Sequence, residues 1–185
     1  MLNLTICRIE AHIQNRKIMP KALLISTQDV AKYTALNGNV DRDLFIQYLS
    51  IAQDIHIQNY LGTDLLEAIQ LQIETSGAPT GVYADLVSKY IKPMLCAFAM
   101  VEFLPFSAYT IANKGVYKHS AENSETIDRL ELDNLIDRQN RIAENYAKRF
   151  TEYICNYSNL FPEYNTNSNG DVQPSKDVNF SNWFL

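Results

Sequence analysis

Glycine, proline, cysteine and histidine are all scarce in this 185-residue chain, which holds six, six, three and three of them. The glycines form neither a G-x-G-x-x-G nor a G-x-x-x-x-G-K-S/T run, so the usual backbone cradles for phosphate are absent. Cys7, Cys96 and Cys155 are odd in number and contain no C-x-x-C pair, which argues against a disulfide framework and against the thiolate half of a zinc site. They read as reduced residues, with Cys96 and Cys155 on apolar helix stripes and therefore in the core. His12, His56 and His119 include no i, i+4 pair, and none stands in a recognisable nucleophile–base arrangement. Long apolar runs are missing too. The most apolar window, 94–106, is interrupted by Glu102 and Pro105 and falls well short of the ~20 residues a membrane helix needs. No signal-peptide core stands in the first twenty residues. Sixteen Lys and Arg against 21 Asp and Glu leave a formal charge of -5, and no stretch concentrates cations, which argues against sequence-specific nucleic-acid binding. The chain is therefore expected to be no enzyme and to carry no cofactor and no metal.

What is present is helical periodicity. Ser26-Thr27-Gln28-Asp29 offers an N-cap with a carboxylate in the first turn, opening a short helix to about Thr34. Asn37-Gly38-Asn39 breaks it, and Asp41 caps a segment whose Leu44, Phe45, Tyr48, Leu49, Ala52, Ile55 and Asn59 read as the inner face, with Arg42, Gln47, Gln53 and Gln58 outside. Gly62 ends that helix. Thr63 and Asp64 restart one that closes at Ser76-Gly77-Ala78-Pro79. A third pattern over 82–106 is apolar through a wide arc, which places it at the centre of the core, and Pro93 within it predicts a kink or split near Tyr90. The last pattern, from about Glu125 to Leu160, places Ile127, Leu130, Leu135, Ile142, Tyr146, Phe150, Ile154 and Tyr157 on one face. At ~1.5 Å per residue it approaches ~50 Å, longer than a compact domain of this size requires.

Two segments stand apart from the helices. Residues 107–120 alternate apolar and polar side chains around Asn113-Lys114-Gly115, which predicts a small β-hairpin projecting from the helical body. Residues 165–177 are Asn, Ser, Gly, Asp, Pro and Lys with almost no apolar anchor, yet the chain ends on Phe180, Trp183, Phe184 and Leu185. A flexible arm with a sticky aromatic end suits docking on a partner, or folding back onto its own domain. The expected architecture is all-α: a bundle of long helices over 22–164 with a hairpin insertion near 107–120, an N-terminal extension over 1–21 and a C-terminal arm over 165–185. Lys114, Gly115, Tyr117 and Lys118 of the hairpin, and Phe180, Trp183, Phe184 and Leu185 of the arm, are the candidate partner-binding residues.

Thr27-Gln28-Asp29-Val30, Asn39-Val40-Asp41, Ile51-Ala52-Gln53-Asp54, Tyr60-Leu61-Gly62-Thr63-Asp64-Leu65, Ile91-Lys92-Pro93, Asn113-Lys114-Gly115-Val116 and Phe161-Pro162-Glu163-Tyr164 occur in that order. Over roughly residues 25–164 the chain thereby resembles the head-to-tail connector, or neck-ring, proteins of tailed bacteriophages, closest to those of crAss-like and other Bacteroidales phages. Residues 1–21 match nothing in the family pattern. The resemblance implies a virion structural protein made in the host bacterial cytoplasm and placed at the portal–tail junction. It implies a homo-oligomeric ring, commonly dodecameric, that binds the portal protein above and stopper or other tail proteins below. Such a ring extends the DNA channel, so phage DNA passes close without specific binding, and no membrane is involved. The reading from a different class is a small helical ligand- or protein-binding module with no virion role, its ligand in a groove near Phe98 and Tyr146.

Overall fold

The computed structural model describes residues 22–34, 42–107, 109–112, 115–118, 128–166 and 171–176. Helices α1 (Thr27–Tyr33) and α2 (Arg42–Ala52), a π turn (Gln53–Ile57) and α3 (Gln58–Leu61) precede a break at Gly62. Then come α4 (Thr63–Ser76), α5 (Gly81–Leu86), a second π turn (Val87–Ile91) and α6 (Lys92–Phe103), which ends in a 3-10 turn, Leu104–Phe106. Strands β1 (Tyr109–Ala112) and β2 (Gly115–Lys118) are followed by α7 (Arg129–Asn156), a 3-10 turn (Ser158–Leu160) and α8 (Pro162–Thr166). The strands run antiparallel, with Tyr109 opposite Lys118 and Ala112 opposite Gly115. They pair only with each other among the described residues, so the core is built by helices alone.

Its centre is α6. Every residue from Pro93 to Met100, with Phe103, is buried, because α2 packs along one side of this helix and α7 along another. Pro93 does not split it. The preceding turn is widened to π geometry while Leu86, Ile91 and Lys92 stay right-handed helical, at φ/ψ of −58/−50°, −74/−47° and −56/−50°. A proline ring crowds the carbonyl four residues earlier, and the wider turn relieves that crowding without a bend into irregular backbone.

The π turn at the end of α2 corrects the inward face read from the sequence. Phe45, Leu49, Ala52, Gln53, Ile57 and Leu61 are buried, whereas Leu44, Ile55 and Asn59 are exposed. One extra residue in the turn carries Ile57 rather than Ile55 into the core. Gln53, expected outside, is 1% exposed. Its Oε1 accepts from Leu24 N–H at 2.9 Å and its Nε2 donates to Ala22 C=O at 3.1 Å, a carbonyl that Gln70 Nε2 also reaches at 3.0 Å. Two side-chain amides thus do for residues 22–24 what a neighbouring strand would do, and Leu24 and Ile25 are buried as a result.

Helix α7 opens on a capping box, Glu131 Oε2 accepting from Asp128 N–H at 3.4 Å. Its described start is therefore Arg129; the expected start near Glu125 lies outside the described residues. It ends at Asn156 rather than Leu160, where Tyr157 leaves helical geometry at φ −118° and ψ 30°. The buried stripe is Ala143, Ala147, Phe150, Thr151 and Ile154, and Leu130, Leu135, Ile142 and Tyr157 of the expected face are exposed. Alanines at 143 and 147 let α7 approach α6 closely, so the stripe follows them. Cys155, expected in the core, is exposed beside this stripe, while Cys96 is buried.

The chain beyond Tyr164 departs from the expectation of an unanchored arm at its described part. Thr63 N–H donates to Val172 C=O at 3.1 Å and Ser175 N–H to Asn59 C=O at 2.8 Å, while Thr63 Oγ1 donates to Asp171 Oδ2 at 3.0 Å. The break at Gly62, held at φ 75° where a Cβ is disfavoured, exposes the first N–H groups of α4 to this segment. Hydrogen bonding, with Pro174 buried, supplies the anchor that apolar composition did not.

Replacing Gln53 by Ala orphans the buried Leu24 N–H, while Gln70 continues to serve Ala22. The expected loss is about 1–3 kcal/mol in denaturant unfolding, growing in the Gln53→Ala/Gln70→Ala double variant; Gln47→Ala, on the exposed side of α2, should stay within about 0.5 kcal/mol.

Candidate functional site

A cleft of about 470 Å³ opens between residues 23–26, the C-terminal end of α4 and the second π turn. Apolar groups, among them Leu23, Ile73, Pro79 and Val87, make most of its wall. One charged cluster interrupts them. Asp29 accepts from Lys92 Nζ at 2.6 Å, Lys32 Nζ at 2.8 Å and Ser26 Oγ at 3.0 Å. Lys32, with Lys92 and Ser26, holds the Asp29 carboxyl well below the usual carboxylate range. Ser26 therefore supports α1 through the Asp29 carboxylate rather than by accepting a backbone N–H. Behind the cluster, burial pushes the Cys96 thiol up to about 12, leaving it an unreactive packing group.

Over the groove proposed near Phe98 lies the protein's own side chain. His56 stacks on Phe98 with ring centroids 4.3 Å apart and an interplanar angle of 7°, and Tyr60 follows at 6.1 Å. His56 Nε2 meets Glu102 Oε1 at 2.8 Å, tying the first π turn to α6. Phe98 is 4% exposed, so its ring offers no open face to a ligand. Among the described residues no three of His, Cys, Asp and Glu converge as a metal site would require.

The open apolar surface lies elsewhere. On α2 and the π turn that follows it, Leu44, Ile51 and Ile55 are exposed in one line with half-buried Tyr48, and the Tyr48 ring leans toward exposed Phe106 at 6.0 Å. On α7, Leu130 is 68% exposed, and no residue from Arg129 to Ile142 is buried. This half of the 28-residue helix still runs beside the core, with Leu132 and Ile136 half-buried and Gln139 Nε2 donating to Ala97 C=O at 3.4 Å. The doublets Leu44-Phe45, Tyr48-Leu49 and Ile51-Ala52 were the available signal for α2. They spell two adjacent stripes, one inside and one outside, which a single-face reading merges.

A third surface is aromatic. Tyr90 and Tyr153 stack at 4.3 Å, Tyr157 follows Tyr153 at 4.9 Å, and the Arg149 guanidinium lies 5.9 Å from the Tyr90 ring centre. Phe161 links this ladder to Tyr83, whose hydroxyl donates to Glu163 Oε2 at 2.9 Å. Burial, reinforced by the Glu163 carboxylate, pushes the Tyr83 hydroxyl up to about 12.

Of the candidate contact residues, Gly115 opens β2 opposite Ala112, Tyr117 faces Thr110 across the ladder and Lys118 faces Tyr109. Lys114, Phe180, Trp183, Phe184 and Leu185 lie outside the described residues. The hairpin and arm candidates are thus not brought together at one described site.

Because the Asp29 pKa is depressed in the folded state, its contribution to stability is complete above the unfolded value near 3.8 and is lost as pH falls toward the folded one. Asp29→Asn should therefore lower Tm relative to the parent at neutral pH, and the gap between the two should close as pH falls below about 4. Thermal unfolding monitored by circular dichroism across that range reads both slopes.

No curated protein matches this chain, and no solved structure does. A family profile matches residues 57–174, from the end of the first π turn to the buried Pro174 that seats the segment at Gly62. With more than half of its length inside that match, the chain belongs to DUF6712, a family of unknown function.

Proposed function

We propose that this chain is a head-to-tail connector subunit of a tailed phage, forming a ring below the portal that extends the DNA channel and joins capsid to tail. The observation that carries this reading is apolar surface that the described residues leave uncovered on two separate helices, Leu44, Ile51 and Ile55 on α2 and its π turn, and Leu130, Leu135 and Ile142 on α7. A ring needs two different complementary faces on each subunit, whereas a monomer gains nothing from leaving such side chains in water. The ordered set of motifs from Thr27 to Tyr164 supports the same identity. In this reading the hairpin over 107–120, with Lys114, Gly115, Tyr117 and Lys118, is a projecting contact element rooted beside Phe106. The arm end, Phe180 to Leu185, docks on a neighbour or on the portal. No helix among the described residues is long and apolar enough to cross a membrane.

Sizing by light scattering, alone and with purified portal protein, tests the proposal. A large oligomer, or a complex with portal, is the expected result; a strictly monomeric species that ignores portal overturns it in favour of a small helical binding module. Ile51→Ser/Ile55→Ser should shift the distribution toward monomer with helical content unchanged, since both side chains are exposed. Removal of residues 180–185 should weaken portal or neighbour binding in the same assay.

A further inference from the structure

We infer that in the free subunit this chain's own C-terminal end, Phe180 to Leu185, docks on the apolar ridge of α2 and covers it. The ridge is Leu44, Tyr48, Ile51 and Ile55, widened by Phe106, whose ring stands 6.0 Å from that of Tyr48. Apart from half-buried Tyr48 all of these are exposed, on a helix whose opposite stripe holds the core. Ala52, Ile57 and Gln58 are right-handed helical, so α2, its π turn and α3 form one continuous rod, and the line of the ridge runs on to exposed Asn59. Asn59 Nδ2 donates to Ile55 C=O, which marks the two as neighbours along that line.

The last described residues bring the arm to the end of this line. Ser175 N–H donates to Asn59 C=O at 2.8 Å, and Lys176 is the final described position. From Asn59 the ridge extends about 6 Å along the axis to Ile55, about 12 Å to Ile51 and about 22 Å to Leu44. An extended chain covers ~3.3 Å per residue, so Phe180 reaches ~17 Å from Ser175 and Trp183 ~26 Å. Every ridge residue therefore lies within reach of the uncharged run Phe180-Ser181-Asn182-Trp183-Phe184-Leu185, whose large side chains suit an apolar surface of this kind. A tether this short sets an effective concentration on the order of mM. In dilute solution that far exceeds the concentration of a second subunit, so the arm meets its own ridge before a neighbour's. The contact belongs to one subunit and does not rest on the connector reading. Within that reading it is the contact a free subunit gives up on assembly, when ridge and arm end each turn to a neighbour.

Trp183 is the only tryptophan in the sequence, so its fluorescence reports the arm end directly. As the full chain refolds by dilution from denaturant, its emission should move to shorter wavelength and become shielded from acrylamide, at a rate that does not change with protein concentration. Ile51→Ser/Ile55→Ser should abolish both changes with helical content intact, since both side chains stand exposed on a formed helix. Phe180→Ser/Phe184→Ser, which leaves the described residues untouched, should abolish them as well. Leu130→Ser/Leu135→Ser, at the other uncovered apolar surface, should keep them. Emission that stays where it lies in the unfolded chain overturns the inference. So does an equal shift in the Ile51→Ser/Ile55→Ser variant, or loss of the shift in Leu130→Ser/Leu135→Ser instead. A shift whose rate rises with concentration overturns it too and assigns the arm end to a neighbour. The connector reading survives each of these results, because sizing by light scattering judges it separately.

Discussion

A helix buried on all sides is the constraint from which the rest of this molecule follows. Helix α6 has almost no face for water, so each element around it must give up one face to cover it, and each large side chain it buries contributes about 1.5–3 kcal/mol. Helices α2 and α7 supply most of that cover with narrow stripes, Phe45–Leu49–Ala52 and Ala143–Ala147–Phe150–Ile154. Their remaining circumference is released from packing. Among the described residues it carries an apolar ridge along α2 and the π turn after it, and exposed Leu130, Leu135 and Ile142 on α7.

The two π turns show how the chain reconciles a continuous helix with local conflicts. One accommodates Pro93 ahead of the most buried helix. The other turns Gln53 inward, where its amide replaces a missing strand partner for residues 22–24. Each alters which side chains reach the core, and each stands where chain segments from distant parts of the sequence converge. The Gly62 break plays the same part at the far side, presenting backbone groups to Asp171–Lys176.

Much of the fold was legible because helix signals are local. The ends at Gly62 and Gly77, the central role of residues 92–103 and the exceptional length of α7 all follow from periodicity and caps. The inner face of α2 was not legible, since a π turn adds one residue to the helical count and nothing in Gln53-Asp54-Ile55-His56-Ile57 announces it. Nor was the anchoring of Val172 and Ser175, which depends on hydrogen bonds to residues more than a hundred positions earlier.

The sequence by itself determined the helical class, the order of the elements and the absence of any recognisable catalytic or phosphate-binding motif, because these rest on residue type and short-range spacing. Only the tertiary structure decided which stripe of each helix is covered. Burial is settled by what α6 demands of its neighbours, and an apolar residue is core or contact surface according to whether another helix happens to reach it. Leu44 and Phe45 stand side by side in the chain; one is exposed and the other holds the core.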